Sequence, residues 1–372
     1  MSPRLLPLLS ILALAACADG VGTDPGAGSA RTAETLETDV TAAVTSSVLL
    51  SGLDNPRGLA FGPEGALYVV EAGNTTVNGP CVAIARGQNC YSGTGAVTRY
   101  WKGRRERVVS GLPSVYNPVT TDVTGPSDIG FVGRGNAVVN IGWGANPALR
   151  AELGELGETF GHLIRLAASG QWRAIADISA VEEAENPAGG PVDSNPYGVL
   201  NEAGGHYVAD AGGNSLIHVS ANGATHVVAT FAPLPAPPPF GQSEAVPTEV
   251  ARGPDGALYV STLTGVPFVA GNAAIYRVVP GQAPTVHVGG FKTITDFAFA
   301  PDGGIYLVEF ASGPVFFAGP GRLLYVAPGG AVTELSATLT APTGVAVGPD
   351  GAVYVSNKGN QSGTGEVLRF VP

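Results

Sequence analysis

The sequence predicts an all-β chain whose main part, residues 47–372, is one six-bladed β-propeller. Three observations carry this prediction. One strand–turn–strand unit recurs six times. Turn formers are abundant around short apolar runs. The last unit lacks a strand that the first residues of the folded part supply. Gly (54) and Pro (30) are frequent among 372 residues, yet hydrophobic residues reach 44 %. That combination excludes disorder, which needs low hydrophobicity, and points to a globular chain with many tight turns. Charged residues make up only 13 %, too few for a coiled coil or helical bundle.

The six units begin at Pro56, Pro126, Pro196, Pro247, Ile294 and Pro342, roughly 47 to 70 residues apart, which is the spacing of propeller blades. Each opens with an apolar first strand, such as Asn55-Pro-Arg-Gly-Leu-Ala-Phe61. Several turn back through Gly-Pro-Glu-Gly or Gly-Pro-Asp-Gly, as at Gly62, Gly253 and Gly348. Proline presets φ at the first turn position, the acid bonds nearby backbone, and the closing glycine takes the left-handed conformation. A second strand follows, for example Ala66-Leu-Tyr-Val-Val-Glu71. A third carries one long polar side chain at a fixed register: Arg99, Arg165, His218, Arg277, Tyr325 and Arg369. Such repetition reads as structural, since catalysis has no use for six copies. Five units then show a fourth strand, such as Arg107–Leu112. The sixth stops at Pro372 after its third strand, while Val48-Leu-Leu-Ser-Gly-Leu53 echoes Val108-Val-Ser-Gly-Leu112. The first strand is therefore expected to complete the last blade and remove the exposed edges of an open ring.

Before residue 47 the chain reads as an address. Met1-Ser-Pro-Arg4 and the apolar run Leu5–Ala16 fit a secretory signal, too short to span a bilayer. Leu14-Ala-Ala-Cys17 matches the bacterial lipobox. Residues 1–16 are thus expected to be a lipoprotein signal peptide, Cys17 the lipidated first residue, and 17–46 a flexible tether spanning about 30 Å. The protein is expected to be exported, periplasmic or at the cell surface, and to meet the membrane only through that lipid. Cys81 and Cys90 are expected to form a disulfide in that compartment. The formal net charge of −11 and only three lysines (Lys102, Lys292, Lys358) leave no basic surface for nucleic acid. A monomer is expected.

Function is expected on one face. Connections between second and third strands, and between a fourth strand and the next blade, leave a propeller on the same side. The long excursions (72–94, 113–125, 142–160, 179–194, 232–245, 263–272, 311–321) all fall there, so that side is the expected mouth for a small organic molecule or a protein partner. Candidate ligand-contacting residues are Arg57, Glu71, Asp128, Trp143, Tyr197, Asp210, Glu249, Asp296, Glu309 and Asn357. The ends of the second strands (Glu71, Asp210, Glu309 and Asn357) form a candidate oxygen-ligand set for Ca²⁺, which prefers such ligands, and a metal-assisted hydrolase or lyase is the alternative. The five histidines show no metal-type spacing, and neither a nucleophile elbow nor a phosphate loop is present.

The segments Asn55-Pro-Arg-Gly-Leu-Ala-Phe-Gly-Pro63, Gly79-Pro-Cys81 with Cys90-Tyr91, Gly93-Thr-Gly-Ala-Val-Thr-Arg99, Val192-Asp-Ser-Asn-Pro-Tyr-Gly198, Asp210-Ala-Gly-Gly-Asn214 and Ala245-Val-Pro-Thr248 resemble the ScyD/ScyE family. These are exported propellers of NHL-repeat and TolB-like type, named after members of scytonemin biosynthesis clusters. The resemblance covers most of residues 47–372. It implies an exported propeller near secondary metabolism and supplies no catalytic residues to carry over. Gluconolactonase-type propellers hold a divalent metal at the axis with a Glu/Asn/Asn/Asp set. Asp128 and Asp296 sit near comparable positions, but Tyr197 and Thr343 do not match the remaining ligands, which weakens a lactonase reading.

Overall fold

The computed structural model describes residues 44–133, 136–314 and 316–372. The expected signal peptide, Cys17 and nearly all of the expected tether lie outside the described residues.

Six four-stranded antiparallel sheets make the blades. Blade 1 runs Pro56–Phe61, Leu67–Glu71, Gly95–Trp101, Arg104–Leu112. Blade 2 is Pro126–Phe131, Asn136–Ile141, His162–Ala167, Trp172–Asp177, and blade 3 is Pro196–Glu202, Gly205–Asp210, Ser215–Ser220, Thr225–Thr230. Blades 4 and 5 start at Pro247–Arg252 and Ile294–Phe299 and end at Thr285–Phe291 and Val332–Leu339. Blade 6 takes Gly344–Val347, Val353–Asn357 and Gly365–Val371 from the end of the chain and Thr45–Leu53 from its start, with Thr45 opposite Val371 and Leu53 opposite Gly365. The expected closure is therefore present, and the closing strand begins two residues before the expected boundary. Thr343 Oγ1 donates to the Pro56 carbonyl at 2.7 Å across the seam.

The turns follow the sequence chemistry. In blade 1 the Gly62 and Gly65 amides donate to the Ala66 and Gly62 carbonyls, with Gly65 at φ +80°. Blades 4 and 6 repeat this at Gly253–Ala257 and Gly348–Ala352. The recurrent third-strand side chain is structural in four blades. Arg99, Arg277, Tyr325 and Arg369 bond the hairpin acids Glu64, Asp255, Asp302 and Asp350.

The core is not central. It is divided into six apolar clusters, one at each blade–blade interface. Leu50 and Leu53 of the closing strand pack with Leu59, Leu67 and Val69 of blade 1, so the seam is sealed by burial as well as by hydrogen bonds. The alternating strands leave one face of each sheet to each neighbour, which is why no single core is needed.

The long connections do gather at one face. The Cys81–Cys90 disulfide is present within an additional four-stranded sheet, Cys81–Ile84, Gly87–Tyr91, Val115–Tyr116 and Val123–Thr124, built from two of these connections. Pro147–Gly157 forms 3₁₀ turns broken at Gly154, and Ser179–Glu185 forms a short α-helix, α1. Among the described residues no helix is long and apolar enough to cross a membrane.

Candidate binding site at the axial mouth

The first strand of each blade lines the axis, and its opening residues set the chemistry there. In five blades the pairing of this strand with the second strand slips just after its first residue, as between Pro126 and Ile129, Pro196 and Gly198, and Pro247 and Glu249. A bulge there re-aims the next two side chains. The second position holds Arg57, Ser127, Tyr197, Thr248, Thr295 and Thr343. Its hydroxyls tie blade to blade: Ser127 donates to the Pro196 carbonyl at 3.0 Å, Thr248 to Ile294 at 2.9 Å and Thr295 to Pro342 at 2.9 Å. The third position holds Gly58, Asp128, Gly198, Glu249, Asp296 and Gly344.

Three carboxyls therefore meet on the axis. Asp128 Oδ2 accepts the Val199 amide of the next blade at 2.8 Å, and Asp296 Oδ2 accepts the Val345 amide at 2.7 Å. Each satisfies an inner-edge N–H that no strand pairs. Two glycines make room for the acids. A Cβ on Gly58 would stand 2.0 Å from Asp128 Oδ1, and one on Gly198 would stand 2.7 Å from Glu249 Oε2. The Asp128 and Glu249 carboxyls stand close enough for the state of each to depend on the other. Burial pushes Asp128 up to about 7. Burial, then repulsion from Asp128, raises Glu249 and Asp296 well above the usual carboxylate range. A shared proton is the expected state of such a pair.

Two further groups complete the mouth. Arg57 donates to the Gly359 carbonyl at 2.6 Å and to the Val123 carbonyl at 2.8 Å. Tyr197 lies within the field of Arg57 and all three acids, and burial raises its hydroxyl pKa. Arg57, Tyr197 and Glu249 keep part of their surface open to water.

Of the expected contact residues, the structure gathers Arg57, Asp128, Tyr197, Glu249 and Asp296. It does not gather Glu71, Asp210, Glu309 and Asn357. Each of those is buried in its own blade, latching the incoming connection. Glu71 accepts from the Asp54 amide, Thr98 and Arg107, and Glu309 accepts from the Lys292 amide and Arg322. Asp210 accepts from Ser194 and the Asn195 amide, and Asn357 accepts from the Thr340 amide. A side chain that ends a second strand points at its own loop, not at the axis. Among the described residues no group of three or more His, Cys, Asp or Glu side chains stands at metal-holding spacing, so the Ca²⁺ set has no geometric basis. Trp143 is also redirected. It is fully buried, bonds the Asn146 carbonyl at 2.9 Å and packs on Phe160, so it belongs to the loop core.

A second acidic group was not foreseen. Ser179 donates to Ser194 and Ser194 to Asp210, both at 2.7 Å, beneath α1. Glu182 of α1 enters the same group with Oε2 buried and unpartnered. Burial and the Asp210 charge push Glu182 up to about 7, and burial pushes Asp210 up to about 6. Only the fold brings Glu182 of α1 beside Asp210 of blade 3.

Cavity size and chemistry diverge. A concavity of about 760 Å³ lies between blades 1 and 2 at the short-hairpin face, beside Tyr68, Arg99, Trp101 and Phe131. Its Arg99 is already paired with Glu64 at 3.2 Å and Glu106 at 2.7 Å. The axial mouth is the better candidate because its carboxyls outnumber their partners.

No known protein-family profile matches the chain, and no curated protein sequence matches it. Solved structures resemble it in shape. A glucose dehydrogenase superposes with a TM-score of 0.53 at 14 % identity, covering 88 % of this chain and 99 % of that one. A luciferin-regenerating enzyme gives 0.51 at 12 %, covering 88 % and 95 %. Regucalcin from Agrobacterium tumefaciens, described as a calcium-binding protein, gives 0.50 at 14 %, covering 90 % and 97 %. The chain shares their fold, the six-bladed β-propeller. At these identities the likeness extends to fold alone.

Proposed function

We propose that this is an exported, lipid-anchored propeller of the ScyD/ScyE type, anchored through Cys17, that binds a small organic ligand at its axial mouth. The observation that supports the reading is the meeting of Asp128, Glu249 and Asp296 with Arg57 and Tyr197 at the end of the axis where the long connections emerge. Three buried carboxyls against one guanidinium favour a ligand bearing a basic nitrogen and hydroxyls, which would replace the shared proton as counter-charge. A protein partner at the same rim is the other form of this reading. Thermal melting with a panel of small amines, polyols and acids at equal ionic strength tests it. Stabilisation by amines that Glu249→Gln removes is the expected result; no shift with any amine refutes it.

A metal-assisted hydrolase or lyase is the second reading, kept for the excess of carboxyls at the mouth, although among the described residues no group of His, Cys, Asp or Glu stands at metal-holding spacing. Elemental analysis and melting with Ca²⁺ or EDTA separate the two. An unchanged melt and no bound metal remove the second reading.

A further inference from the structure

The short-hairpin face carries a different asymmetry. At the recurrent third-strand register, a long side chain points into the cleft toward the next blade. In most blades two neighbours from its own sheet hold it. A tyrosine of the second strand lies beside it, as Tyr68 beside Arg99 and Tyr354 beside Arg369, and the hairpin acid bonds it. Blade 2 has neither. Val138 stands opposite Arg165 where the other blades have tyrosine, and the hairpin sequence 132–135 contains no acid. Arg165 forms no salt bridge among the described residues, and its Nε is buried without a hydrogen-bond partner. A cavity of about 190 Å³ lies between blades 2 and 3, lined by Val138, Arg165 and His206.

The far wall of this cavity is basic too. His206 is buried, and its Nδ1 bonds Asn201 Oδ1 at 2.7 Å. Asn201 in turn donates its amide to the Gly130 carbonyl at 3.2 Å, which fixes Oδ1 as acceptor and Nδ1–H as donor. The ring's remaining polar atom is Nε2. Burial first, then the charges of Arg165 and His218, hold the His206 pKa below the ordinary imidazole value. The one acid on the wall, Glu202, is committed to Arg252 through contacts of 2.5 and 2.9 Å. A buried guanidinium Nε without a partner, in the same cavity as the His206 ring, is costly unless an acceptor joins it.

We propose that the cleft between blades 2 and 3 is an anion site that takes a phosphate group, held by Arg165 and His206. Guanidinium geometry suits a phosphate through paired N–H donors, and the neutral His206 Nε2 accepts an O–H of the protonated phosphate anion. The site lies on the face opposite the axial mouth and is independent of the reading given for it.

Inorganic phosphate is the probe. The whole exported chain is melted at pH 6.5 in phosphate, acetate and chloride at matched ionic strength, and the five histidines are followed by NMR. The expected result is a Tm higher by a few degrees in phosphate than in chloride or acetate, with saturable shifts of the His206 ring signals. Arg165→Gln is expected to abolish both, while retaining the chloride Tm within a few degrees. Equal melting in phosphate and chloride with unmoved His206 signals overturns the proposal. An equal effect of acetate overturns the assignment to phosphate, and an undiminished phosphate shift in Arg165→Gln overturns the site. The NMR arm needs only the wild-type chain, so a variant that fails to fold leaves the proposal falsifiable.

Discussion

Glu182 offers a sharp test of the buried polar layer beneath α1. Its side chain is 2 % exposed and leaves Oε2 without a partner beside Asp210. The folded-state pKa of about 7 exceeds the ordinary value of 4.5, so the unfolded chain releases this proton first as pH rises. Between those two values the folded state binds more protons than the unfolded state, and stability falls with rising pH. The loss is complete above the folded pKa. The displacement from 4.5 to about 7 corresponds to about 3 kcal/mol at full effect, and solvent screening reduces it to roughly 1–3 kcal/mol. Glu182→Gln keeps the shape, removes the charge and offers an amide donor to Asp210. The variant is expected to equal the wild type at pH 4.5 and to be more stable at pH 8, by about 2–5 °C in Tm for a chain of this size. Melting both proteins across pH 4.5–8.5 isolates this residue, because the axial acids contribute equally to each. A variant no more stable at pH 8, or one stabilised equally at both ends, refutes the account of a buried carboxyl carrying the penalty.

Further expectations follow from the axis, the seam and the disulfide. Gly58→Ala places a methyl 2.0 Å from Asp128 Oδ1 and is expected to cost about 1–3 kcal/mol in denaturant melts, with relief on combination with Asp128→Ala; additive losses contradict the contact. Deleting Thr45–Leu53 strips the outer strand from blade 6 and its Leu50 and Leu53 contacts, and is expected to abolish the single cooperative transition seen by circular dichroism. An intact transition contradicts closure by that strand. Reducing the Cys81–Cys90 disulfide is expected to loosen the additional sheet without unfolding the blades; protease cleavage confined to residues 72–94 is the readout, and global cleavage contradicts it. Cys17→Ala is expected to release the protein from the membrane fraction, and continued anchoring contradicts the lipobox reading.

Much of the fold was legible in the residues because turn chemistry is local. Gly-Pro-Asp-Gly and Gly-Pro-Glu-Gly dictate their hairpins in blades 1, 4 and 6, and six recurrences of the whole strand–turn–strand unit at blade spacing leave few alternatives. The closing strand was legible because Ser-Gly-Leu after an apolar pair recurs at residues 51–53 and 110–112, the end of blade 1. The axial acids were only half legible. Aligning Pro56-Arg-Gly, Pro126-Ser-Asp, Pro196-Tyr-Gly and Pro247-Thr-Glu gives the two positions, but not which of them a bulge turns toward the axis. Thr343 was expected near the axis with the others, and it bonds sideways to the neighbouring blade instead.

Sequence by itself determined the blade count, the strand pairing, the crowded face and the Cys81–Cys90 pair, since each depends on neighbours a few residues apart or on a repeat. Tertiary structure alone decided which acids share a space. Glu71 and Asp128 read alike as acids at strand ends facing the mouth. Ring closure drives one into its own loop, where Arg107 and a backbone amide hold it, and brings the other against Glu249 two blades away. Buried carboxyls are set apart by what surrounds them in space, and that is fixed only when six separate sheets meet around one axis.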